Sequence, residues 1–200
     1  TENALVDRAH EFVDALVEEV LKAEGGFVIY VADDPVNADN KPLLFEWTDA
    51  KAVNKQLTDK SQKVRLKVVA SPERLQTKAN AEQRKLVYGM IARGVAELVT
   101  LEEEVLTGGN VGDEQVEHAT GMVALGGGKG VADRARKMVK RQLPVLPMDL
   151  QLGANSEDGI GALGVLKAFQ TNPLNYMHNS GNQVAKVLPA LSLQEPVLAM

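Results

Sequence analysis

The run Thr120–Met148, TGMVALGGGKGVADRARKMVKRQLPVLPM, carries a strand, a glycine loop, a helix and a second strand in one unbroken pattern. Gly121–Leu125 is apolar, too short for a helix, and closed by Gly126, Gly127 and Gly128, as a strand buried on both faces would be. Beyond Lys129 and Gly130, the residues Val131, Arg134/Ala135, Met138/Val139 and Leu143 recur at helical spacing until Pro144 stops them. Val145–Met148 then reads as a second strand, parallel to the first. A β-loop-α-β unit of this length predicts an α/β fold with a Rossmann-like, open, mainly parallel sheet and helices on both faces. Ligands are expected at the carboxyl ends of its strands.

Glycine at this corner lets backbone N–H groups approach a bound group at the positive end of the following helix, which suits phosphate. The competing reading is structural, because glycine at a strand-to-helix turn also permits tight packing. Two familiar phosphate motifs fit poorly. A Walker loop needs Ser or Thr after its lysine, where this chain has Lys129-Gly130, and the dinucleotide fingerprint needs a third Gly or Ala where Val131 stands.

The segment Leu125–Ala154, LGGGKGVADRARKMVKRQLPVLPMDLQLGA, resembles the core of the SLOG superfamily, the Rossmann-like nucleotide-binding group that includes the Lonely Guy phosphoribohydrolases and the DNA-processing DprA proteins. Within it, the segment looks most like the SLOG domains attached to sirtuin or TIR modules in anti-phage effectors of the Thoeris type. The resemblance implies a domain that senses cyclic ADP-ribose-type signals. It covers Phe27 to Gly164, with its specificity concentrated in those thirty residues. One departure is informative. Lonely Guy enzymes carry Gly-Gly-x-Gly-Thr-x-x-Glu, whereas here Val131 stands for the threonine and Arg134 for the glutamate. A carboxylate thought to act in glycosidic cleavage has become a cation, so the resemblance implies binding more strongly than hydrolysis.

Two hundred residues, 44% of them hydrophobic, suffice for one α/β domain, and a single domain over 1–200 is expected. The net charge of -5 disfavours a general nucleic-acid footprint, and 4% aromatic content leaves no stacking platform for single strands. The absence of cysteine excludes a disulfide framework and thiol chemistry. No apolar run is long enough to span a bilayer and no signal peptide is visible, so the cytoplasm is the expected compartment.

Along the chain, Leu5, Ala9, Phe12/Val13, Leu16/Val17 and Val20/Leu21 mark an amphipathic helix stopped at Gly25-Gly26. Phe27–Val31 reads as a buried strand, and the loop after it places Asp33 and Asp34 where they can accept from ribose hydroxyls or serve simply as turn residues. SLOG domains usually begin with a strand before the first helix, so that strand is expected to be missing or supplied differently. Thr48 is the expected N-cap of a helix to Leu57. Trp47, the sole tryptophan, can stack on a base or fill the core. Val64–Ala70 alternates apolar and basic like a strand near an edge, and Ala79–Arg93 is helical. Val95–Ala119 is the least informative region, with an acid cluster at Glu97, Glu102, Glu103 and Glu104 and a loop over Thr107–Gly112. The acids can do acid–base work or bind a metal, but such runs are usually solvated faces. His10, His118 and His178 lack ligand spacing, which disfavours zinc.

The helix after the glycine loop is strongly basic. Lys129 and Arg134, nearest its N-terminus, are the expected anion contacts, while Arg136, Lys137, Lys140 and Arg141 suit solvent and the helix C-terminus. The loop from Asp149 through Gly153 to Gly159 ends the second strand on the same edge as Gly126–Gly130, which adds Asp149 and Gly153 as ligand candidates. Helices are expected over Ile160–Phe169 and Asn182–Leu191. The sequence therefore predicts a module that requires no cofactor or metal, binds a phosphorylated nucleotide signal, assembles as a homo-oligomer and controls an attached TIR, sirtuin or other effector. The alternatives are a phosphoribohydrolase-like enzyme and a scaffold with a vestigial pocket.

Overall fold

The computed structural model describes residues 2–33, 35–59, 63–100, 111–148 and 161–177. Within these the order is α1 (Glu2–Lys22), β1 (Phe27–Tyr30), α2 (Glu46–Gln56), β2 (Leu66–Val69), α3 (Pro72–Lys78), α4 (Ala81–Ala92), β3 (Ala96–Val99), α5 (Val111–Glu117), β4 (Met122–Leu125), α6 (Lys129–Lys140), β5 (Val145–Met148) and α7 (Gly161–Thr171), followed by a 3-10 turn at Pro173–Asn175. Pairing between these strands is parallel, and an isolated antiparallel bridge joins Val36 to Pro42. The strands form a three-stranded sheet β1-β2-β3 and a two-stranded sheet β4-β5. The α/β class and the open parallel pairing expected from the sequence are present, and the strands are shared between two small sheets. The chain separates into two compact units, His10–His118 and the combination of Thr1–Ala9 with Ala119–Met200.

In the unit His10–His118, β2 lies between its partners, with Phe27 opposite Leu66 on one side and Leu66 opposite Ala96 on the other. The expected edge position of this strand is therefore wrong. Its basic alternation has other causes: Lys67 pairs with Glu97 across the ladder at 3.4 Å, and Arg65 donates to the carbonyls of Glu24 and Gly25. Ile29, Val31, Leu66, Val68 and Val69 are buried together with Leu75, Val87 and Met90 from the crossover helices. Each such aliphatic side chain contributes about 1.5–3 kcal/mol by leaving water.

The helix expected over Ala79–Arg93 is α4, Ala81–Ala92, and a further short helix, α3, precedes it at Pro72–Lys78. Ser71 caps α3 by accepting the Arg74 N–H at 3.0 Å, with Pro72 in the first turn, and Asn80 opens α4 through a reciprocal capping box with Gln83. These side-chain acceptors satisfy N–H groups that a helix start otherwise leaves open. Thr48 is not the N-cap of α2. The helix begins at Glu46, and the Thr48 hydroxyl meets His10 Nδ1 at 2.6 Å. His10 Nε2 lies 2.8 Å from the Pro42 carbonyl, an oxygen that only accepts, so Nε2 carries a proton and the ring fastens α1 to the segment before α2. Val111 and Gly112, expected in a loop, open α5, and Gln115 of α5 reaches the Val28 carbonyl.

In the other unit, β4 and β5 pair from Met122 opposite Val145 to Leu125 opposite Met148. Among the described residues β5 has a ladder partner on one side only, β4, a position in which Pro147 is tolerated. α7 packs on α6, β4 and β5. The core comprises Ala124, Ala132, Ala135, Met138, Val145, Met148, Val165, Leu166 and Phe169. The Tyr176 ring meets Phe169 edge-on at 5.7 Å, and its carbonyl accepts the Val145 N–H at 2.8 Å. α6 ends at Lys140, four residues before Pro144, in a turn at Arg141 and Gln142.

Candidate functional site

The glycine loop lies where the sequence places it, between the end of β4 and the start of α6. Its glycines have different roles. Gly126 and Gly127 have φ of 52° and 69°, in the left-handed region where a Cβ is disfavoured, and a Cβ on Gly127 would overlap Val131 Cγ2. Backbone conformation and packing therefore account for these two without any ligand. Gly130 differs: it lies in the first turn of α6, and a Cβ there would meet Arg134 Nη1 at an ordinary 3.7 Å.

That contact also locates Arg134. Its guanidinium runs back one turn along α6 to lie beside Gly130, the direction in which helical side chains lean. The Arg134 Nε is buried and has no hydrogen-bond partner among the described residues. Gly128 is the N-cap and has no side chain with which to cap. Its carbonyl accepts from Val131 at 3.0 Å and Ala132 at 3.3 Å, while no described residue accepts the N–H groups of Gly127, Gly128 or Gly130. A helix start carrying open N–H groups and a folded-back arginine has the electrostatics that suit an anion. The Gly126 carbonyl takes the Ala162 N–H at 2.9 Å, which ties the start of α7 to the loop.

Lys129 is exposed at the first position of α6. Further along, Asp133 holds Lys137 at 3.0 Å and Arg136 at 3.4 Å, so two of the later cations pair within the helix. Asp133 is the only carboxylate on α6, and these cations engage it. The structure thus gathers Gly126, Gly127, Gly128, Lys129, Gly130 and Arg134 in one place. Asp149 and Gly153, together with Glu102–Glu104 and the expected helix Asn182–Leu191, lie outside the described residues.

Asp33 belongs to the His10–His118 unit, at the carboxyl end of β1, and Asp34 lies outside the described residues. Both Asp33 carboxylate oxygens accept from Lys78 Nζ, at 2.8 and 3.0 Å. Beside this pair Arg74 Nε donates to the Val31 carbonyl at 2.5 Å, and its guanidinium carbon lies 4.5 Å from the centre of the Tyr30 ring. Arg74, Lys78 and Tyr30 were not singled out in the sequence. The available signal was Ser71-Pro72, a helix start directly after a strand, which puts Arg74 and Lys78 one turn apart on one face. Trp47 is 5% exposed and belongs to the core, which removes it as a stacking surface. Among the described residues no three His, Cys, Asp or Glu side chains gather to hold a metal, and no helix is long and apolar enough to cross a membrane.

A family profile described as "ATP nucleosidase Cap17-like, N-terminal" matches residues 1–198. The chain is similar to two curated proteins, each named ATP nucleosidase Cap17, one from Escherichia coli strain KTE188 and one from Escherichia coli. Each is 43% identical over 196 residues, covering 98% of this chain and 39% of the relative. The chain thus spans about two fifths of the length of those relatives. No solved structure matches at a significant level.

Proposed function

Because the chain belongs to the family of Cap17-like ATP nucleosidase N-terminal regions, we propose that it is the ligand-sensing part of a longer nucleosidase. It binds a phosphorylated nucleotide at the glycine loop and sets the activity of the chain attached to it. The observation that carries this is Arg134, folded back beside Gly130 with a buried Nε that has no described partner, at a helix start where the N–H groups of Gly127, Gly128 and Gly130 have no described acceptor. A phosphate there would receive charge-assisted hydrogen bonds from the guanidinium and the backbone.

The SLOG resemblance, which neither the profile nor the relatives name, supplies the nature of the signal and its setting. The signal is a cyclic ADP-ribose-type nucleotide and the setting is anti-phage defence, with a nucleosidase as the attached effector in place of a TIR or sirtuin module. A sensor transmits only by binding one state better than another. The state offered here is homo-oligomeric assembly, in which a bound anion offsets repulsion between the cations of neighbouring copies.

The second reading is that this segment itself cleaves the N-glycosidic bond. The name of the relatives, ATP nucleosidase, favours it. Against it stands the chemistry beside the loop, where Arg134 occupies the expected acid position and Asp133 is held by Lys137 and Arg136. One experiment separates the two. The chain is incubated with ATP and with cyclic ADP-ribose isomers, bound nucleotide is measured by calorimetry and released base by chromatography. Intact bound ligand supports the sensor, turnover supports the enzyme, and neither leaves the loop a structural corner. Light scattering with and without the bound nucleotide then tests assembly.

A further inference from the structure

The guanidinium of Arg74 is fixed on two sides and unused on a third. Val31, directly after β1, is fully buried, and its carbonyl takes the Nε–H of Arg74. The Tyr30 ring lies against one face of the guanidinium, 4.5 Å from centroid to carbon. Arginine carries five donors in a rigid fork, of which this arrangement uses one. The donors on Nη1 and Nη2 have no acceptor among the described residues. The Nη1–Nη2 edge is thus pre-oriented at the carboxyl end of the three-stranded parallel sheet, where ligands of open α/β sheets lie. Such an edge matches two oxygens of a phosphate or carboxylate.

Lys78, one turn along α3, adds a second cation. Its ammonium is held by Asp33, whose side chain is 76% exposed. An exposed ion pair of this kind is weak, so an incoming anion can compete with Asp33 for the lysine. Arg74, Lys78 and Asp33 together leave one net positive charge at the edge.

We propose that the carboxyl edge of the three-stranded sheet carries a second anion site, formed by Arg74 and Lys78 over Tyr30, that takes the phosphoryl group of a small phosphorylated ligand. It goes beyond the glycine-loop site, because it stands on different residues in the other unit of the chain. Asp33 is a built-in competitor at this site: it holds Lys78 in place when the edge is empty and yields it when a phosphate arrives. A purely structural strap from Arg74 to Val31 would leave anion affinity indifferent to Asp33, whereas the proposed site makes affinity rise when that carboxylate is neutralised.

The test is calorimetric titration with inorganic pyrophosphate of a chain carrying Gly130→Ala and Arg134→Gln, which disable the glycine loop. Retained binding is expected in that background. Adding Arg74→Gln should weaken it by roughly tenfold or more, adding Lys78→Gln should weaken it less, and adding Asp33→Asn should strengthen it. Circular dichroism checks folding, and Lys78→Gln decides the matter if Arg74→Gln unfolds the chain. Absence of binding in the folded background overturns the site, as does an affinity unmoved by both Arg74→Gln and Lys78→Gln. Equal pyrophosphate affinity in the original chain and the background would count against the glycine loop alone.

Discussion

Arg134 lies one helical turn behind its own Cα, with Nη1 at contact distance, 3.7 Å, from where a Cβ on Gly130 would stand. The two residues face the same space at the start of α6. Gly126 and Gly127 owe their identity to positive φ, but neither strain nor crowding explains Gly130. Glycine within a helix costs up to about 1 kcal/mol relative to alanine. Gly130→Ala should therefore leave the chain as stable or more stable while placing a methyl group in the path of the phosphate, so that nucleotide affinity falls. Thermal unfolding read beside calorimetry checks both signs, and unchanged affinity in a stabilised variant would make the loop structural.

Arg134 should carry much of the affinity and little of the stability. Its buried Nε donates to nothing described, so removing the group strands no acceptor. Losing hydrogen bonds to a charged ligand costs about 1.5–3 kcal/mol. Arg134→Gln is expected to weaken nucleotide binding about ten- to a hundredfold while moving the unfolding midpoint in urea very little. A large stability loss with intact affinity would mean that the guanidinium is part of the packing.

The acid limb of the stability curve should carry the mark of Asp49. Its carboxyl, in the first turn of α2, is pushed well above the usual carboxylate range by burial and secondarily by the like charge of Glu46. A folded-state pKa above the unfolded one means that protonation favours the fold. This stabilisation is complete below the unfolded value and is lost as pH rises through the raised one. Asp49→Asn should accordingly be more stable than the parent at neutral pH, with the gap closing on acidification. Exposed Glu24 acts with the opposite sign, since its hydrogen bond from Lys63 lowers its pKa and adds stability that is lost on acidification. Comparing the two chains isolates Asp49, and urea unfolding across a pH series measures it. A less stable Asp49→Asn at neutral pH would reverse the assignment.

The sequence was most legible where one local pattern sufficed. Val145–Met148 coincides with β5, and the helical spacing after Lys129 coincides with α6 except at its end. It was least legible where long-range partners decide. Nothing near Val64–Ala70 announces that β1 and β3 flank it, because Glu97 lies thirty residues from Lys67 in sequence yet opposite it in the ladder. β3 itself, Ala96–Val99, is four residues inside an acid-rich stretch, too short to show a period. His10 lacked ligand spacing in the sequence, and its partners, Thr48 and Pro42, lie more than thirty residues away. For the candidate site, the loop and Arg134 were readable because they are adjacent in sequence. Arg74 was not, because its partners, Tyr30 and Val31, lie at the carboxyl end of β1, more than forty residues away in sequence.

Catalysis gives the sharpest division between sensor and enzyme. Cleavage of an N-glycosidic bond draws on a group that donates or accepts a proton at the reacting centre, and such a group typically contributes about 10²- to 10⁴-fold. At the glycine loop the cation Arg134 stands where the resemblance implies glutamate. Asp133, the nearest carboxylate in sequence, is committed to Lys137 and Arg136. The 200-residue chain is therefore expected to bind ATP-type nucleotides without releasing adenine. Arg134→Glu, which restores a carboxylate at that position, should abolish binding through repulsion of the phosphate rather than create turnover. Chromatography of the reaction over many hours, at enzyme concentrations high enough to reveal slow turnover, is the check. Steady adenine release by the unaltered chain, lost in Gly130→Ala, would transfer the nucleosidase activity to this segment.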